Sequence, residues 1–200
     1  MKKLILSAVL ATLPVLSHAA VFTDNFNTDV LALNQTTFLG GWTLVGGAPL
    51  GTVDLIGNSG FFDLLPGNGR YVDLDGSSDK AGFFEKNLTL VGGMEHTLSF
   101  DLAGSQRGDT NTVEVVFGST MASYTVSSLD PFSLRTMTFT PASTTTYQIL
   151  FHNLGGDNFG ALLDNVNVTA VPEPSTYMLM LGGLGLVGFV ARRRKTADLA

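Results

Sequence analysis

Asp164 sits on an alternating stretch, Leu162 to Thr169, where it shares a period-two face with Leu162, Val166 and Val168, residues that belong in a core. A carboxylate placed there must accept hydrogen bonds or ligate a cation, because an unpaired buried charge is costly. Two chemistries answer that need. One is a hydrogen-bonded carboxylate without metal. The other is a structural calcium ion, which takes roughly six to eight oxygen ligands. A second acidic group, Asp73, Asp75 and Asp79 in Asp-Leu-Asp-Gly-Ser-Ser-Asp, opens like a calcium loop. It lacks the closing glutamate, since the twelfth position is Phe84 and Glu85 falls one residue late, so it reads as a solvated turn.

Trp42, with Phe61, Phe62 and Tyr71, could provide a ring platform for a sugar, and Arg70 or Asn68 could hydrogen-bond its hydroxyls. Core packing is the alternative for a lone tryptophan flanked by Gly41 and Leu44. For catalysis the pattern is poor. His96 and His152 lie in no metal-ligand or nucleophile spacing and read as strand-surface residues, there is no cysteine, and no spacing selects a carboxylate pair for glycoside hydrolysis. Thr136, Thr138 and Thr140 alternate on one strand face, a pattern that ordinary β propensity accounts for.

These residues must be positioned by strands. Between Ala20 and Ala170 there is no helical period, whereas apolar and polar residues alternate in segments punctuated by Gly, Asn and Asp. The clearest strands are Thr97–Ala103, Thr112–Phe117 and Thr145–His152. Others are Val21–Phe26, Trp42–Val45, Thr52–Ile56, Tyr71–Leu74, Phe83–Leu90, Ser123–Ser127, Leu134–Thr140 and Leu162–Thr169. So many short strands predict an all-β body of two antiparallel sheets, a jelly-roll-like β-sandwich. Gly92-Gly93, between Leu90 and Met94, suits a tight hairpin.

Both ends differ from the body. Residues 1–19 have Lys2 and Lys3, an apolar run from Leu4 to Leu16, and Ser17-His18-Ala19 as a small-residue cleavage site, which predicts a signal peptide and use of the secretory translocon. The β-sandwich domain then spans residues 20–170, a size that suits one domain. Residues 171–200 carry Pro172-Glu173-Pro174, an apolar run over 177–191, predicted to be a short transmembrane helix, and the basic cluster Arg192, Arg193, Arg194 and Lys195. As a helix the run rises about 22 Å against a hydrocarbon core of about 30 Å, a marginal span. The cluster acts as an inward stop-transfer. The whole chain carries a formal charge of −6, but six of its 11 basic residues and only two of its 17 acidic ones lie in the ends. The body keeps fifteen acidic against five basic residues, a net charge of −10, which disfavours nucleic acid and favours a cation as partner.

The tail, through Pro172-Glu173-Pro174, the run from Met178 to Val190 and Arg192 to Lys195, resembles the PEP-CTERM sorting signal of Gram-negative bacteria, also filed under an ice-binding label. The resemblance implies a transient inner-membrane anchor, recognition by an exosortase-type membrane protease, and delivery to the cell surface or an extracellular polysaccharide matrix of the biofilm kind. An unprocessed membrane anchor is the alternative. Asn25-Phe26, Trp42, Tyr71 to Gly76, Leu98 to Gly104 and Leu162 to Val166 together resemble galactose-binding-like jelly rolls. That resemblance implies a structural calcium site, Ca2+ held by Asp164 with Asp24 and Asp29, and makes carbohydrate binding through Trp42, Arg70 and Tyr71 an expectation. The reading is therefore an exported noncatalytic surface or matrix protein, with a carbohydrate-binding module for exopolysaccharide and a secreted hydrolase as alternatives.

Overall fold

The computed structural model describes residues 19–45, 51–58, 62–171 and 180–189. Most of the expected leader, Pro172, Glu173, Pro174, the cluster Arg192 to Lys195 and Phe61 lie outside the described residues. Among the described residues the chain forms β1 (Ala19–Asp24), β2 (Ala32–Gln35), β3 (Thr43–Val45), β4 (Val53–Gly57), β5 (Arg70–Asp73) and β6 (Phe83–Leu90). These are followed by β7 (Glu95–Ala103), β8 (Thr110–Phe117), β9 (Thr120–Ser127), β10 (Ser133–Phe139), β11 (Thr145–Asn153) and β12 (Leu162–Val171). Residues 180–189 are helical, and among the described residues no helix is long and apolar enough to cross a membrane.

The strands build two antiparallel sheets. The larger runs β10-β7-β12-β5-β4-β2, with β1 also paired to β12, and the smaller runs β3-β6-β11-β8-β9. β12 pairs with β7 along one edge, from Leu162↔Ala103 to Val171↔Glu95. Its other edge is shared between β5, at Leu162 and Leu163, and β1, at residues 166–170. Period-two patterning produces the inner faces, since Leu98, Phe100 and Leu102 of β7, Val113, Val115 and Phe117 of β8, and Ile149 and Phe151 of β11 are all buried.

An aromatic cluster joins the sheets. The Trp42 ring stacks on Phe84 at 4.6 Å and lies 5.9 Å from Phe151, which meets Phe100 of the larger sheet at 5.0 Å. Phe26 and Phe38 complete it against Phe84. Outside the larger sheet, Ile56, Tyr71, Ala103 and Leu162 form a second apolar cluster under Leu64, Leu65 and Phe132.

Two expectations are corrected. Gly92-Gly93 does not close a hairpin, because β6 lies in the smaller sheet and β7 in the larger, so the pair carries the chain between layers. Gly93 still adopts positive φ, at 80°, and its N–H reaches the Pro141 carbonyl at 2.7 Å. The two-residue hairpin belongs instead to β8 and β9, where Phe117 pairs with Thr120 and Gly118 takes a φ of 61°.

The second correction concerns Asp164. A register shift between Asp164 and Asn167, with Asn165 at a φ of 50°, resets the alternation. Leu163, Val166 and Val168 enter the main core, while Leu162 joins the outer cluster, so Asp164 shares a face with Leu162 and not with the two valines.

Trp42 is the single tryptophan and is fully buried. Its emission is expected to be blue-shifted and resistant to iodide quenching. Trp42→Ala should lose about 3–5 kcal/mol in urea denaturation, the usual cost of removing a large core aromatic.

Candidate functional site

The expected sugar platform is not formed. Trp42 and Tyr71 both have 0% exposure and lie in different apolar clusters, so neither offers a ring face to a ligand. Trp42 Nε1 donates to Asp24 Oδ2 at 3.1 Å. The Tyr71 hydroxyl accepts from Leu65 N at 2.8 Å and donates to Asp63, and burial pushes its pKa up to about 12. Arg70 is tied to the loop after β1: its N–H donates to Asn27 Oδ1 at 2.9 Å and its Nη1 to the Asp29 carbonyl. Burial defeats this set. The signals that drew attention to it, large aromatic rings and a cation close in sequence, belong equally to core packing and loop fixing.

Asp24, Asp29 and Asp164 come close enough for charge to be felt, since Asp29 bears on Asp24 and Asp24 on Asp164 electrostatically. They do not fit a shared calcium ion. Both Asp24 oxygens are occupied, Oδ1 by Phe26 N at 2.9 Å and Oδ2 by Trp42. The neighbouring positive charge is Lys86, whose ammonium donates to the Gly40 carbonyl at 2.7 Å and lies 5.1 Å from the Phe22 ring centroid. Asp29 Oδ1 accepts from Leu39 N, and Asp164 Oδ1 from Asn165 N at 2.7 Å. Among the described residues no three His, Cys, Asp or Glu side chains form a metal-holding group. Burial raises the Asp164 pKa to about 7, with Asp101 and Asp24 adding to the shift and the Asn165 N–H opposing it.

The acidic segment that begins at the end of β5 is solvated only in its second half: Asp79 is exposed, whereas Asp73 and Asp75 are not. Asp73 is 1% exposed and Asp75 0%, because segments distant in sequence close over them. Arg107, from the β7–β8 connection, pairs with Asp73 and lies 4.8 Å over the Phe159 ring. Gly160 packs so tightly against Asp73 and the Asp75 amide that an added Cβ would fall 2.3 Å from each. Asn153 links the smaller sheet, donating to Asn111 Oδ1 at 3.0 Å and to Asp75 Oδ2 at 3.5 Å. Burial raises Asp73 to about 7 against the pull of Arg107, and Asp75 to about 6. This network is buried and ties the two sheets together, although Asp75 Oδ1, Arg107 Nε and Asn153 Oδ1 find no partner within it. His96 is likewise buried, its Nδ1 donating to the Met94 carbonyl at 2.9 Å, and is not a surface residue.

An open polar surface lies on the outer face of the smaller sheet. Strand pairing aligns Phe83 of β6 beside His152 of β11, and His152 opposite Glu114 of β8. The Phe83 and His152 rings stack at 4.0 Å and 18°. Burial lowers the His152 pKa against the pull of Glu114, favouring the neutral ring. One step along, Glu85 accepts from Gln148 Nε2 at 2.6 Å and from Asn87 Nδ2. The face thus presents a partly exposed ring pair, each ring covering one face of the other, beside a carboxylate–amide row. Period two in β6 and β11 could have found it, because both strands place these side chains on the face opposite Phe84 and Phe151.

Asp164 carries a pH consequence. An ordinary carboxyl titrates near 3.8 and this one near 7, so the folded chain holds the proton more tightly between those values. The stability it contributes is complete below about pH 4 and is lost as pH rises through 7. Asp164→Asn keeps an acceptor for Asn165 and removes the titration. In urea denaturation with chelator present, the variant should match the parent at pH 4 and exceed it at pH 8 by about 1–3 kcal/mol.

Comparison with solved structures places the sandwich among carbohydrate-binding-module jelly rolls. The CBM22-1 xylan-binding domain from Paenibacillus barcinonensis Xyn10C is 13% identical with a TM-score of 0.52, over 80% of this chain and 99% of that one. The CBM22-1-CBM22-2 tandem domain of the same protein is 16% identical with a TM-score of 0.50, over 84% and 49%. The CBM22-1-GH10 modules of Clostridium thermocellum xylanase 10B, complexed with xylohexaose, are 14% identical with a TM-score of 0.46, and this chain spans 29% of their length. At these identities the likeness establishes the fold alone. No curated protein matches the sequence. The tail matches a family model: residues 170–195 match the PEP-CTERM protein-sorting motif.

Proposed function

We propose that the chain is an exported, noncatalytic protein of the cell surface or secreted matrix, and that its sandwich holds a polysaccharide on the outer face of the smaller sheet. The observation that carries the binding reading is the Phe83–His152 stack with Glu85, Gln148 and Asn87 beside it. Flat rings supply apolar contact to the C–H face of a sugar, and fixed carboxylate and amide groups supply hydrogen bonds to its hydroxyls. Adjacent strands lie about 4.8 Å apart, so the row from Phe83 through His152 to Glu114 spans about 10 Å, enough for an extended glycan rather than an isolated small ion. The xylan-binding name of one structural neighbour supports the same reading. The net charge of −10 in the body favours a neutral glycan over an anionic one.

The noncatalytic reading is supported by where the carboxylates with raised pKa lie. Asp73 is locked to Arg107, Asp75 is sealed under the 154–160 loop, Asp164 is 3% exposed, and Asp24 accepts from Phe26 N and Trp42 Nε1 on β1 of the larger sheet, so none of them faces the open outer side of the smaller sheet. The sorting motif supports passage through the secretory translocon, a transient stay at the inner membrane and processing by an exosortase-type protease.

Two measurements test this. The full chain should be retained on at least one insoluble matrix or plant polysaccharide, and Phe83→Ala should weaken retention at least ten-fold, about 1.4 kcal/mol. Thr136→Ala, on the exposed face of the other sheet, should leave it unchanged; retention by none of the polysaccharides retires the binding reading. Intact mass of the protein recovered from cells and medium should show loss of both ends, and a full-length mass in both fractions would overturn the sorting reading.

A further inference from the structure

A pocket of about 300 Å3 opens between the loop after β1 and the end of β2, lined by Asp29, Val30, Gln35, Thr37, Phe38 and Leu39. It is separate from the open sheet face and from the sorting tail, and does not rest on the function proposed above. Its rim is apolar and exposed, with Val30 at 73% and Leu39 at 75% exposure. Such residues need no explanation singly, but here they flank a polar floor.

Asp29 is 1% exposed. Its Oδ1 accepts from Leu39 N, and its Oδ2 is buried with no hydrogen-bond partner. Gln35 donates through Nε2 to the Thr37 carbonyl at 2.9 Å, and its Oε1 is likewise buried without a partner. Arg70, nearby, directs Nη1 to the Asp29 backbone carbonyl; its Nε is itself buried without a partner, and it does not line the pocket or reach the carboxylate oxygen. The floor is therefore made of acceptors, one of them a carboxylate, and Phe38 forms an aromatic part of the wall.

The donor count selects the ligand. An alcohol brings one O–H together with lone pairs that would face other acceptors, whereas a primary ammonium brings three N–H donors and no lone pair. The charge assists, since a buried carboxylate is stabilised by a cation and an aromatic wall tolerates one. The volume stands at the lower end of the roughly 300–1,000 Å3 usual for ligand pockets, which suits a small amine. We propose that this pocket binds a primary ammonium group carried on a small frame with an apolar flank, held by Asp29 Oδ2 and Gln35 Oε1 between Val30, Phe38 and Leu39.

Pairs of near-isosteric probes test the assignment: n-butylammonium against 1-butanol, and glucosamine against glucose, titrated into the full chain by calorimetry and by NMR of the Val30 and Leu39 methyl groups. Each amine should bind at least ten-fold more tightly than its neutral counterpart and shift those methyl signals. Asp29→Asn keeps the acceptor for Leu39 N and should remove the preference for the charged probe. Val30→Lys, at an exposed position, should weaken amine binding without lowering the melting midpoint. Equal binding of charged and neutral probes, no binding of either amine, or unchanged amine affinity in both variants would overturn the proposal.

Discussion

The larger sheet depends on one strand that must satisfy three neighbours at once. β12 gives a full edge to β7 and divides the other between β5 and β1. No straight strand of constant register does this with all its apolar residues facing inward. The bulge at Asp164 to Asn167 resolves the conflict by shifting the alternation by one residue between the two halves. Leu163 then reaches the main core from one half and Val166 and Val168 from the other, while Leu162 packs under Leu64, Leu65 and Phe132.

That arrangement has an electrostatic side effect. The outer surface of the larger sheet would ordinarily be wet, but loops cover part of it, so carboxylates that alternate outward from β5 and β12 are enclosed. Asp73 finds Arg107 there, and Asp164 finds only a backbone N–H with two further carboxylates nearby. An acidic body with few basic residues has limited means to compensate such groups, so burial dominates their titration. The core must offset this strain without disulfides, and the Trp42, Phe84, Phe151 and Phe100 chain of rings is what ties one layer to the other.

Much of the architecture was legible in the residues. Half-buried strands such as β7, β8 and β11 announce themselves, because one face meets the core and the other meets water. β2 was not seen: Ala-Leu-Asn-Gln is too short to show a period, and it joins the sheet only through β4. Gly92-Gly93 marks a turn but not the layer it leads to, since glycine reports local backbone freedom and says nothing about which sheet follows. Binding residues were harder. Trp42 and Tyr71 carry the same sequence signal whether they face a ligand or a core. Asp73 and Asp75 looked solvated because the residues that bury them, Arg107, Asn153 and Gly160, come from remote segments. Period two puts Phe83 and Glu85 on one face of β6 and His152 and Gln148 on one face of β11, but only the pairing of the two strands brings them together.

The place of β12 also bears on the order of events as the polypeptide matures. The last strand of the sandwich occupies an interior position in the larger sheet, with β7 on one edge and β5 and β1 sharing the other. Until residues 162–171 arrive, β7 and β5 have no common partner and β1 has none at all, so a nascent chain cannot complete this layer ahead of time. The smaller sheet needs no part of β12, so the larger layer is the one whose closure waits for that strand to dock.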